Sequence, residues 1–64
     1  MADYYWTLHD AQGNDLRDTE RFPTKEEAES FMGAQWRALL DEGGETASLK
    51  EDGDVLYRMG LREA

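Results

Sequence analysis

Apolar and polar side chains alternate near the start of the chain. Residues 3–10 read Asp-Tyr-Tyr-Trp-Thr-Leu-His-Asp, so an extended backbone sends Tyr4, Trp6 and Leu8 to one side and Tyr5, Thr7 and His9 to the other. A period of two in aromatic and β-branched residues predicts a strand, with its buried face on the even positions. Ala11-Gln12-Gly13-Asn14-Asp15 follows, in which Gly13 and Asn14 both tolerate φ > 0; a hairpin turn is expected. The return strand, residues 16–20, has Leu16 as its one large apolar residue beside Arg17, Asp18 and Glu20. So polar a strand suits a sheet edge, where charge discourages further pairing.

The period then changes. Phe22-Pro23-Thr24-Lys25-Glu26-Glu27 offers Thr24 as an N-cap with Glu27 three residues on, a capping box. Glu26, Glu27 and Glu29 sit in the first turns, where the helix dipole favours carboxylates. Ala28, Phe31, Met32, Gln35, Trp36, Leu39 and Leu40 recur at helical spacing on one face. Gly43-Gly44 supplies a left-handed stop, so the predicted helix covers residues 25–41 or 25–42.

Beyond the glycines the period of two returns. Residues 45–50 set Ala47 and Leu49 opposite Thr46, Ser48 and Lys50, and Glu51-Asp52-Gly53-Asp54 reads as a second hairpin turn. Val55, Tyr57, Met59 and Leu61 then alternate with Leu56, Arg58 and Gly60, and the last three residues are expected to fray. The hairpins echo one another: Thr7-Leu8-His9-Asp10 with Gly13 and Leu16 matches Ser48-Leu49-Lys50-Glu51 with Gly53 and Leu56. Convergent turn chemistry and a duplicated ββ unit both account for the echo. The predicted fold is α+β, β-β-α-β-β, an antiparallel four-stranded sheet carrying one helix on one face, in a single domain over residues 1–64. An aromatic strand, a Gly-Asn turn, a charged strand and Phe-Pro-Thr-Lys-Glu-Glu-Ala opening a helix resemble small bacterial ββα-hairpin proteins of unassigned function. That resemblance implies the architecture and brings no activity or site with it.

Sixty-four residues permit one small core, and with no cysteine there is neither a disulfide nor a thiolate metal site to brace it. Marginal stability or self-association is the expectation. A net charge of −8 and a pI near 4.3 argue against direct contact with nucleic acid or an anionic membrane, and permit a basic protein partner. Five arginines against two lysines, with frequent Ala, Asp and Glu, suit a high-GC bacterial genome. No run is long and apolar enough for a membrane span, and Met1-Ala2-Asp3 lacks the basic start of a signal peptide, so the cytoplasm is expected.

Candidate chemistry is sparse. Ser30 and Ser48 are the serines, and His9 stands beside Asp10, but adjacent strand residues point to opposite faces. An exposed histidine at a hairpin shoulder is therefore expected, and no triad. Glu26 with Glu27, Asp41 with Glu42, and Asp52 with Asp54 fall in turns or on the helix's solvent face, where general acid–base work lacks a desolvated pocket. The Glu51–Asp54 turn lacks the spacing of a calcium loop. Arg17, Arg21, Lys50 and Arg58 are available to one sheet face, though carboxylates outnumber them. Catalytic, cofactor and metal sites are all expected to be absent.

Two features ask for more. One helix covers one side of four strands, so Tyr5, Thr7, His9, Leu56 and Arg58 are expected to face away from it as a partner surface, Tyr and Arg being interface-rich types. Gly33 interrupts the helix at a cost of about 1 kcal/mol relative to Ala, with Ala34 and Ala38 beside it, and Gln35 falls inside the apolar arc. Small residues against the sheet and a helix–helix contact both explain them. The expected function is a non-catalytic acidic interaction protein, a homodimer or the partner of a larger protein. The alternatives are an acidic mimic of nucleic acid that occupies a basic groove, and an enzyme completed across an oligomer interface.

Overall fold

The computed structural model of the protein describes residues 3–63. Its elements are β1 (Tyr4–His9), β2 (Asp15–Asp18), α1 (Lys25–Asp41), β3 (Thr46–Glu51), β4 (Asp54–Gly60) and a closing 3-10 turn, Leu61–Glu63. The strands form one antiparallel sheet in the order β2-β1-β3-β4, which is the expected α+β arrangement. β2 begins one residue early and stops at Asp18 rather than Glu20. The cause is Thr19, whose hydroxyl takes the Trp6 backbone N–H at 3.0 Å in place of a carbonyl and so ends the ladder.

The hairpin echo is physical. In β1–β2 the register runs Leu8↔Arg17 and then His9↔Asp15, leaving Leu16 as an extra residue. In β3–β4 it runs Leu49↔Tyr57 and then Lys50↔Val55, leaving Leu56. Each hairpin thus carries one β-bulge at the equivalent place, with a leucine as the extra residue. Thr7 pairs with Ser48 where the two hairpins meet, so an approximate two-fold normal to the sheet relates them. The second bulge also corrects the alternation expected for β4. Val55 pairs with Lys50, on the side away from the helix, and is 57% exposed. The second turn is tight because Asp52 (φ 51°) and Gly53 (φ 95°) are both left-handed, as a two-residue type I′ turn requires.

α1 begins as expected, with Thr24 Oγ1 accepting the Glu27 N–H at 3.1 Å. It ends in a Schellman motif: Gly43 N–H donates to Leu40 O at 2.9 Å and Gly44 N–H to Leu39 O at 3.1 Å. Gly43 (φ 104°) supplies the left-handed residue. At Gly44 the need is space, since a Cβ there would lie 3.0 Å from Leu39 O and 3.1 Å from the Leu61 side chain.

Trp6, Leu8, Ala28, Met32, Leu39, Ala47, Leu49 and Leu61 form the core between α1 and the sheet. Trp6 anchors it, fully buried, with its indole N–H donating to Ala28 O at 2.8 Å and its ring edge-on to Tyr57. Tyr4, Phe31, Trp36 and Tyr57, expected inside, are only half-buried, and Gln35, Ala34 and Ala38 are exposed. α1 lies over β1 and the 3-10 turn, so its flanks look past the sheet. Leu61 closes the core instead, and the expected fraying is corrected: Arg62 and Glu63 belong to that turn, while Ala64 lies outside the described residues.

Trp6→Phe, which deletes both volume and the bond to Ala28, is expected to cost about 2–3 kcal/mol in urea denaturation. Thr24→Ala should cost about 1 kcal/mol; an unchanged unfolding midpoint would place the helix start elsewhere.

Candidate functional site

The sheet face opposite α1 departs most from expectation. Tyr5, Thr7 and His9 lie on it as expected, but they are buried, at 8%, 1% and 5% exposure, and Ser48 beside them is fully enclosed. No second layer among the described residues covers them. Their roof is made of polar side chains, mostly from the edge strands. Thr7 Oγ1 donates to Asp18 Oδ1 at 2.7 Å, and the Arg21 guanidinium sits 4.6 Å over the Tyr5 ring. His9 Nε2 meets Ser48 Oγ at 2.8 Å, and Arg58 Nε donates to the same oxygen at 3.2 Å. Of the five residues expected to form a partner surface, only Leu56 and Arg58, both on β4, remain exposed.

Asp15, His9 and Ser48 stand in the spatial order of a hydrolytic triad, an arrangement the sequence reading had set aside. The carboxylate comes from across the hairpin rather than from the neighbouring Asp10. His9 Nδ1 is 2.9 Å from Asp15 Oδ1, yet the carboxylate lies off the N–H direction and the buried nitrogen has no aligned acceptor. Two further requirements are unmet. Ser48 has no exposed surface for a substrate to reach, and β3 is paired on both sides, so no free N–H pair faces the serine to receive an oxyanion. What the chain Asp15–His9–Ser48–Arg58 does accomplish is structural: it ties all four strands together on the open face.

Two ion pairs stand near the helix C-terminus. Arg17 reaches Glu42 with two bonds, 2.7 and 2.9 Å, so it lies on the helix side rather than among the cations of the open face. The Arg17 hydrogen bond holds the Glu42 carboxyl below its ordinary range. Arg62 similarly grips Glu45 at 3.0 Å beside a hollow of about 540 Å³ at the helix C-terminus, lined also by Leu40, Asp41, Gly43 and Gly44. The Schellman bonds have already used the carbonyls there. Among the described residues no group of three or more His, Asp or Glu is placed to hold a metal ion.

The β4 flank differs from the rest of the surface. Its outer edge has no backbone partner among the described residues, and Val55 and Leu56 are exposed. Between β4 and α1 runs a groove of about 220 Å³, lined by Trp6, Glu29, Met32, Gly33, Tyr57 and Met59. Tyr57 OH donates to Glu29 Oε2 at 2.8 Å beside it. A Cβ on Gly33 would meet nothing within 4 Å, so no contact within the chain requires glycine there. Gly33, anomalous in a helix interior by its sequence, is exposed beside this groove.

Comparison with known protein families, curated proteins and solved structures returns no match.

Burial first, and then the bond to Glu29, push the Tyr57 hydroxyl from its ordinary 10 up to about 12. Its folded value exceeds its unfolded one, so the stabilisation is complete below pH 10 and is lost as pH rises toward 12. The melting temperature is expected to fall across that window, and Tyr57→Phe should remove the Tyr57 part of the fall. An unaltered profile in the variant would mean that Tyr57 ionises freely.

Proposed function

We propose that this is a non-catalytic interaction protein that acts by self-association, with the β4 flank as its contact region. The contrast between the two sheet edges carries the reading. Both edges carry a bulge, but β2 is also short and charged, two further ways of blunting an edge. β4 is longer, carries Val55, Leu56, Tyr57 and Met59, and borders an apolar groove. Burying that flank would also enlarge a core that is small for an independent domain. The inaccessible Ser48 supports the non-catalytic part of the reading. No helix among the described residues is long and apolar enough to cross a membrane; a bacterial cytoplasmic setting is our reading of the composition.

Charge sets the conditions. Each copy carries −8. The molecule measures 32 × 22 × 17 Å, so two copies in contact have centres roughly 25 Å apart. Coulomb's law in water then gives a repulsion of about 4–5 kcal/mol at 0.01 M salt and below about 1 kcal/mol at 0.15 M. Apolar burial outweighs the second figure and not comfortably the first. Sedimentation at low micromolar protein should show a dimer that tightens between 0.01 and 0.5 M salt. A strict monomer at both salts would overturn self-association. Complexes with a basic protein that collapse with salt would instead favour the nucleic-acid-mimic reading.

A further inference from the structure

We propose that the second copy docks through α1, antiparallel and centred on Gly33, closing the groove beside β4. This rests on the self-association reading and names its seam. Along one i, i+4 ridge of the helix stand Lys25, Glu29, Gly33, Arg37 and Asp41, all exposed. Gly33 is the midpoint of Lys25–Asp41. At 1.5 Å per residue, Glu29 and Arg37 lie about 6 Å to either side of it, and Lys25 and Asp41 about 12 Å. Antiparallel pairing about Gly33 therefore sets Glu29 level with Arg37 of the second copy, a pairing that occurs twice, with Lys25 and Asp41 turned about 80° from Gly33 to the rims of the seam. Parallel pairing would set Glu29 on Glu29 and Arg37 on Arg37. The ridge is self-complementary in one orientation only.

Other observations fit the same seam. None of the four charged residues has a salt bridge among the described residues: Glu29 accepts from Tyr57, while Lys25 and Arg37 lie over the rings of Tyr57 and Trp36. The missing side chain at Gly33 lets the two ridges cross where any larger residue would hold them apart. A two-fold perpendicular to the helix pair leaves both sheets on the same side of it. Because Gly33 opens onto the groove, the β4 flanks of the two copies then turn toward each other, covering Tyr57 and Met59. The contact is isologous and closes as a dimer, not a filament.

The test is sedimentation equilibrium of the full chain at 0.15 M salt, with circular dichroism as the control for folding. Glu29→Arg and Arg37→Glu, each alone, oppose like charges twice and should each raise the dimer Kd about tenfold or more. An equimolar mixture of the two variants should form a heterodimer of near-original affinity, as should the double variant with itself. Gly33→Leu should abolish the dimer and, at protein concentrations where wild type is itself monomeric, raise the melting temperature, because leucine is the better helix former. If wild type is dimeric and both charge reversals leave Kd unchanged, the helix seam is wrong and self-association stands elsewhere. If the single variants weaken the dimer but mixing does not restore it, the Glu29–Arg37 pairing is wrong. A monomeric wild type overturns the seam and the self-association reading together.

Discussion

A single seventeen-residue helix can cover only part of one side of a four-stranded sheet, and the remaining structure answers to that shortage. Such a helix is about 10–12 Å across with its side chains, while four strands at about 4.8 Å spacing are wider. α1 is spent on β1 and the 3-10 turn, with Trp6 hydrogen-bonded to the Ala28 carbonyl as the fixed point. Two surfaces are left: the whole opposite face, and the flank of the helix side beyond it. The protein treats them differently.

The opposite face is closed by polar chemistry. Thr7, His9 and Ser48 are small or flat groups on the central strands, and Asp15, Asp18 and Arg58 reach over them from both edges. Burying a histidine and a serine is tolerable only when their polar atoms find partners. Here Nε2 and Oγ do, while Nδ1 has a carboxylate near it but not aligned. The same arrangement that follows the order of a triad ties four strands together with short side chains. On the helix side the β4 flank receives no such roof. Tyr57 and Met59 border the groove there and are only partly buried.

Much of this was legible in the residues themselves. The two changes of hydrophobic period marked the elements, and Thr24 with Glu27 and Gly43 with Gly44 fixed the helix ends to within a residue. Repeated Leu-plus-Gly spacing disclosed the paired hairpins. The bulges were not legible, because a period-two pattern with one inserted residue reads as continuous alternation; Val55 was misplaced for that reason. The roof over Tyr5, Thr7 and His9 was hidden for another. It depends on which charged residues the register brings alongside, and neither Asp15 beside His9 nor Arg58 beside Ser48 is near in sequence. Gly33 and Gln35 are anomalous in an apolar helix face by sequence alone, and among the described residues no contact explains Gly33.

The unroofed flank and the unfilled space at Gly33 adjoin, and the second copy proposed above would cover both at once. Amide and methyl chemical shifts followed over a dilution series from millimolar to low micromolar protein test this most directly. Concentration-dependent shifts are expected at Glu29, Gly33, Arg37, Tyr57 and Met59, with β2 and the Asp15–His9–Ser48 network unchanged. Shifts centred on β2 or the open face, or none anywhere in the series, would contradict it.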